Sequence, residues 1–403
     1  MEIPERLPML LAGALEESLK LKGMPKGKCP EEWILENSSV FKELLEECLN
    51  TGVDGICVPT ERSNGENLKS FGLEKQIKRL NHDLIMLTKE NISDKILVAG
   101  CLSSIDKGDV NFGKAEFFDM FYIFLEQATA LADAGADLFV IEDMVSLFEA
   151  RVAVFACKRF GIPVFVTMLT NENGVTPLGT ELLPSLICLQ ELGVSGFGFN
   201  CGLNSDYIDL FHKISPYAKI PLIAKVNRSL EDGERKQIDI SQSVELLLEN
   251  GVEIIECGKG ITSKQVKEIR KSIDNFDFHR VDFEKYNGQI VMANDKQAFF
   301  LSTDSIELSE PISCSVDMSS KILEMNEAFT GSVTVELLNY DDAMFFCQNA
   351  HMLTLPVIFK SESKVALESG LLLFSGRAMI DSDCSIDRSE LEMLADKYGT
   401  IVY

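Results

Sequence analysis

Residues Gly135–Ala150 read GADLFVIEDMVSLFEA. A glycine closes one element, an apolar run follows, two carboxylates stand at its end, and a helical pattern begins at Ser146. The run is apolar in both pleat directions, so a strand here is covered on both faces, as in a parallel sheet packed between helices. Gly135 suits the left-handed position that ends a helix and turns the chain into the next strand. Glu142 is costly to bury in such a strand unless it is hydrogen-bonded or holds a cation.

The same grammar recurs along the chain. LNTGVDG, CKRFGIP, LQELGVS and LLENGVE punctuate it as LADAGAD does. The runs MLLAGAL (from Met9), GICVPT (Gly55), ILVAGCL (Ile96), PVFVTML (Pro163), GFGFNCG (Gly196), PLIAKVN (Pro221) and VEIIECG (Val252) join LFVIEDM to make eight. Between them helices are predicted over Phe41–Asn50, Glu66–Leu87, Glu116–Ala134, Ser146–Arg159, Glu181–Leu192, Asp206–Ile214, Ser241–Asn250 and Ser263–Ile273. Eight strand–helix units in about 250 residues predict a (β/α)₈ TIM barrel over residues 1–275. A doubly wound open sheet has no reason to stop at eight, and no G-x-G-x-x-G follows any strand.

NFDFHRVDFEKYNGQ is polar and aperiodic and reads as a linker. Residues 276–403 then predict a small α/β domain. QIVMAN and QAFFLS resemble a hairpin, and SVTVELL, PVIFKS, RAMIDS and TIVY alternate with helical stretches to give a largely parallel sheet.

The chain has 403 residues, of which 46% are apolar, enough for two domains with sizeable cores. Its net charge of −25 disfavours nucleic acid and anionic membrane surfaces as partners. FFDMFYIFLEQATALADAG is interrupted by Asp119, Glu126 and Asp133 and reads as an amphipathic helix, so no span is predicted. The N-terminus opens with acidic residues and is not read as a secretory signal. Eleven cysteines without framework spacing suit reduced thiols in the cytoplasm.

In barrels of this type the site lies at the C-terminal strand ends. Gly13, Ala14, Glu16 and Glu17 stand after the first strand, and Cys57, Thr60 and Glu61 at the second. Cys101 belongs to the third, Glu142 and Asp143 to the fourth, and Thr167 and Thr170 to the fifth. Asn200 and Cys201 end the sixth, Lys225 and Asn227 the seventh, and Glu256, Cys257 and Lys259 the eighth. Four cysteines at one rim invite a metal, since thiolates are good zinc ligands and zinc makes a thiol nucleophilic at neutral pH. A single rim cysteine would be read as a small packed hydrophobe. None of the four histidines lies at a strand end, so any metal rests on sulfur and carboxylate.

These residues resemble the homocysteine S-methyltransferases, which include the homocysteine-binding barrel of cobalamin-dependent methionine synthase. GADLFVIEDMVSLFEA carries the resemblance best. CPEEWILENSSVFKELLEECLNTGVDGICVPTERSN, FGLEKQIKRLN, VAGCLSS, GFNCG and IIECGKGITS extend it over residues 1–275. It implies transfer of a methyl group to a substrate thiol such as homocysteine. It also implies zinc on one cysteine after strand six and two vicinal cysteines after strand eight. Cys201 carries over to the first. Gly258 and Lys259 fall on the other two, with Cys257 one position early, so zinc would need some of Cys57, Cys101 and Cys257. Ala12, Cys57 and Pro59 stand where the family has aspartate, glutamate and asparagine. Glu142 carries over as a holder of the substrate's amino group, with Asn200 beside Cys201. Gly13, Ala14 and Lys259 complete the expected substrate-binding set, Lys259 being expected to fill the vacant cation position and pair with Cys201 or an anionic ligand.

The second domain weakly resembles part of a pterin-binding domain, in ALESGLLLFSGRAMIDSD and LEMLADKYG. No D-x-H-x-x-G motif is present, so no cobalamin module is expected in this chain. The methyl donor would be a separate corrinoid protein, methylfolate or a sulfonium compound. Two other readings stay open: a diverged, metal-free barrel with another task, and a non-catalytic binding or scaffold subunit of a methyltransferase system.

Overall fold

The computed structural model describes residues 7–105, 114–203, 205–228, 239–278, 285–286, 290–302, 306, 308–328 and 331–403. The eight apolar runs all form strands: β1 (Met9–Ala12), β2 (Gly55–Val58), β3 (Leu97–Ser103), β4 (Leu138–Met144), β5 (Val164–Leu169), β6 (Gly196–Gly202), β7 (Leu222–Asn227) and β8 (Val252–Cys257). They pair in parallel, in chain order, and β8 closes on β1. The five predicted helix-ending glycines, Gly52, Gly135, Gly161, Gly193 and Gly251, all have positive φ.

Two layers fill the barrel. Outward residues such as Ile56, Val58, Phe139, Phe197 and Val226 pack under the helices. Inward residues Met9, Leu11, Ala99, Leu138, Val140, Phe165, Ile223 and Ile254 fill its floor. Gly198 is required there, because a Cβ on it would lie 1.8 Å from the Ile223 carbonyl oxygen. One expected helix is two: Glu66–Leu87 breaks into Gly65–Lys69 and Ile77–Lys89 around Gly72, whose φ is +70°. Two further helices, Leu15–Leu21 and Pro30–Glu36, lie between β1 and β2.

Most of the expected linker, residues 279–284 and 287–289, lies outside the described residues. Beyond it β9 (Ile290–Ala293) and β10 (Ala298–Leu301) form the expected antiparallel hairpin. β11 (Ile312–Ser313), β12 (Val333–Glu336), β13 (Val357–Lys360), β14 (Met379–Ile380) and β15 (Ile401–Val402) form a parallel sheet in chain order. β11 and the helix Ser319–Glu327 were not foreseen.

This sheet unit is tied to the barrel at the helix that leaves β4, Leu147–Cys157. Arg151 there is fully buried and donates to the carbonyls of Phe374 and Leu371, at the end of the helix Lys364–Leu373. Arg377 pairs with Glu191 at 3.2 Å. A cavity of about 640 Å³ lies along the seam, lined by Ser146, Thr180, Asn294, His351 and Phe374 among others. Among the described residues no helix is long and apolar enough to cross a membrane.

Candidate functional site

Pleat alternation decides what each strand end presents. On β7, Ile223 faces the barrel floor, so Lys225 faces inward two residues later. Its ammonium is buried and meets three carboxylates: Glu142 at 2.5 Å, Asp143 at 3.1 Å and Glu256 at 3.4 Å. Burial alone would lower the Lys225 pKa, but the charges of Glu142, Glu256 and Asp143 overturn that and hold it well above the usual lysine value.

Strict alternation would send Glu142 and Asp143 to opposite faces. A bulge prevents it. Between Ile141 and Met144 the pairing with β5 slips by one residue, and Asp143 takes a left-handed φ of +53°. Both carboxylates then reach Lys225. The Asp143 N–H donates to Thr167 Oγ1 at 3.1 Å, which pins the bulge.

The amides extend the network. Asn200 Nδ2 donates to Asp143 Oδ1 at 3.3 Å, and Asn227 Nδ2 donates to Asn200 Oδ1. Asn227 Oδ1 accepts from the Lys259 N–H at 2.6 Å. Glu256 is fully buried, and Lys225 lies 3.4 Å from its Oε1. Burial raises its pKa above the ordinary glutamate value, against the pull of Lys225. Gly13 leaves room for it, since a Cβ there would stand 3.0 Å from Glu256 Oε1. Ala14 begins the helix Leu15–Leu21 in a left-handed conformation, φ +51°. Glu61, partly buried, has its carboxyl pushed up to about 8 by burial and by the charge of Glu142.

The four rim cysteines separate into two pairs. Cys57 and Cys101 face inward, 3% and 0% exposed. Thr60 clamps them: its hydroxyl donates to the Cys101 carbonyl and accepts the Cys101 N–H, both at 2.9 Å. Gln127 Nε2 donates to the Thr60 carbonyl at 2.6 Å. A hydrogen bond with Cys101 acts to lower the Cys57 pKa, but burial and the charges of Glu256 and Glu142 push the thiol up to about 11. Cys201 and Cys257 face outward into the helix-packing layer. Burial pushes the Cys201 thiol up to about 12.

Several expectations are therefore corrected. Cys201 and Cys257 do not face the mouth, because each is one residue out of phase with the inward positions Asn200 and Glu256. The Lys259 side chain is exposed, so the cation among the carboxylates is Lys225 instead. The residues at the resemblance's zinc positions do not fit a metal. Cys201 turns away, and a Cβ on Gly258 would stand 2.3 Å from Asn227 Oδ1 and 2.9 Å from the Val226 carbonyl oxygen. That corner is already filled by an amide. Glu142 stays at the mouth, bound to Lys225. Lys225, Asp143, Asn227 and Glu256 stand at strand ends in the sequence, and the structure brings them together as one site. The inward parity of their positions was the signal that could have found them.

A closed parallel barrel with a buried ion cluster at its strand ends defines a TIM-barrel protein with its site at the usual face. The profile described as Homocysteine S-methyltransferase matches residues 9–273, and the chain belongs to that family. It is 22% identical over 255 residues to methionine synthase of Mycobacterium leprae (strain TN), covering 58% of this chain and 21% of that protein. The methionine synthase of Mycobacterium tuberculosis (strain ATCC 25618 / H37Rv) is 22% identical over 258 residues, covering 59% of this chain and 22% of that one. The chain thus spans about a fifth of the length of these curated relatives. Among solved structures, the metallated form of the homocysteine methyltransferase MmuM from Escherichia coli superposes with a TM-score of 0.57. The identity is 18%, over 66% of this chain and 96% of that one.

Proposed function

We propose that the chain is a thiol S-methyltransferase whose acceptor is homocysteine or a similar amino-acid thiol, acting in the cytoplasm with a donor supplied from outside the chain. A separate corrinoid protein, methylfolate or a sulfonium compound would supply the methyl group. The observation that carries the reading is the Lys225–carboxylate cluster at the strand ends of a barrel of this family. Even with Glu256 holding a proton, Glu142 and Asp143 outnumber the Lys225 ammonium, and that surplus attracts the ammonium of an amino-acid substrate. The Asn200 and Asn227 amides offer neutral donors and acceptors beside it.

Methylation of a thiol breaks the S–H bond and the donor's bond to its methyl carbon and forms an S–C bond; the demethylated donor leaves with the electron pair of its broken bond, and the thiol proton needs an acceptor. A free thiol titrates near ~8.5. Glu61, whose carboxyl is raised to about 8, would take that proton through its minor ionised fraction at neutral pH and hold it once taken. Glu256, raised by burial, holds Lys225 and with it the position of Glu142.

The test is turnover of homocysteine with methylcobalamin, methyltetrahydrofolate and S-methylmethionine offered in turn, reading methylated product. Product with at least one donor, reduced at least 100-fold in Lys225→Met, supports the reading. No methylated thiol with any of the three would end it. The filled corner at Gly258 and Asn227 favours one other reading, a family member that binds without catalysis. Calorimetric binding of homocysteine without turnover would select it.

A further inference from the structure

The inward cysteines have a neighbour that the outward pair lacks. Cys57, Cys101 and Glu142 each present one donor atom, and these atoms all lie within 4.8 Å of one another. All three residues are buried. The set is mixed: two sulfurs and a carboxylate, the donors that borderline-soft divalent cations select. It sits on adjacent strands, β2, β3 and β4, with the Thr60 clamp fixing β2 to β3 at Cys101.

The charge around it is unbalanced. Glu142, Asp143 and Glu256 surround one ammonium, Lys225. Glu256 is fully buried, with Lys225 3.4 Å from its Oε1. Burial answers part of that excess with a proton on Glu256, and the carboxylate that remains is expensive unless a second cation answers it. Lys225 holds Glu142 through Oε2, which leaves that carboxylate a second oxygen and orients it, as the outer partner of a metal ligand does.

We propose that Cys57, Cys101 and Glu142 form a binding site for one divalent cation of the zinc class, on β2–β4, across the barrel from the β6 and β8 positions where the resemblance places zinc. Binding releases the two thiol protons to solvent and forms two sulfur–metal bonds and one oxygen–metal bond. Three protein ligands leave the fourth tetrahedral position open, to water or to a substrate thiol. The site stands on these residues alone. Metal content and thiol methylation are separate readouts, so either can fail without the other.

The experiment uses the full chain, reduced, chelator-stripped and free of a metal-binding tag, titrated with Co²⁺ and then with Zn²⁺. The expected result is one equivalent of Co²⁺ with a thiolate-to-cobalt charge-transfer band and tetrahedral visible bands, displaced by one equivalent of Zn²⁺. Cys57→Ser and Cys101→Ser should each weaken binding at least tenfold and lower the charge-transfer band. Glu142→Gln should weaken binding and keep the band. Cys201→Ser and Cys257→Ser should leave both unchanged. No cobalt band in the parent, or a band lost in Cys201→Ser or Cys257→Ser instead, would overturn the site. Should a serine variant fail to fold, X-ray absorption of the zinc-loaded parent decides. Two sulfur scatterers with light atoms support the proposal, while none, three or four refute it.

Discussion

Cys57 and Cys101 on β2 and β3, and Cys201 and Cys257 on β6 and β8, end strands at the same rim of the same barrel. One pair looks into the mouth and shares space with Glu142 and Lys225. The other looks out and packs with Phe199, Phe211 and Val226 under the helices. Residue type and position along the strand are alike, and the parity of the pleat separates them. A thiol on the outer face is a small hydrophobe. On the inner face it is a donor atom beside charge. Across β6–β8 the inward places belong instead to Asn200, Lys225, Asn227 and Glu256.

The strongest way to break this contrast is Lys225→Met. It leaves buried carboxylates without their cation and should cost about 3–5 kcal/mol in unfolding free energy at neutral pH. Urea denaturation reads it, and an unchanged midpoint would mean that the ion cluster does not hold the mouth together. Gly258→Cys restores a cysteine where the resemblance expects one. Its Cβ runs into Asn227, so overpacking should cost about 1–3 kcal/mol without adding a metal equivalent. A stable variant that binds extra zinc would erase the distinction between the two arcs.

A third test sharpens the electrostatics. The Glu61 carboxyl is raised to about 8 in the folded protein. The native state therefore holds a proton that the unfolded chain has released, and this group's contribution to stability falls as pH rises from about 4.5 to 8. With chelator present, Glu61→Gln should flatten that part of the stability–pH curve. An identical slope in the variant would place the titration elsewhere. The smallest effect belongs to Ala14→Gly. A left-handed alanine is strained by about 1–2 kcal/mol, and glycine returns some of that gain through the unfolded chain. A stabilisation below about 1 kcal/mol is expected from thermal unfolding.

Much of the barrel was legible. Strands apolar on both faces and glycine-capped helices state the (β/α)₈ order almost element by element. The parity is legible too. In GFGFNCG the glycines at 196 and 198 take the crowded inner face and Phe197 and Phe199 the outer one. Asn200 then shares the inner face and Cys201 the outer. The bulge at Asp143 could not be read, because a one-residue slip leaves no mark in side-chain pattern. It turns the carboxylates of VIEDM from one inward group into two. Lys259 misled for a different reason. It follows the last strand residue in sequence, yet the chain has already left the mouth there, and its side chain reaches solvent.

Arg151 bears on how the chain comes apart. Its guanidinium is sealed between the β4 helix and the carbonyls that end the helix Lys364–Leu373, with Nε unpartnered. Separating the sheet unit from the barrel would leave those carbonyls, and the apolar residues around them, without their donor. The two units should therefore melt as one cooperative event, with a single calorimetric transition where two linked domains would ordinarily give two. A barrel cut after residue 275 should lose stability rather than simply lose a passenger.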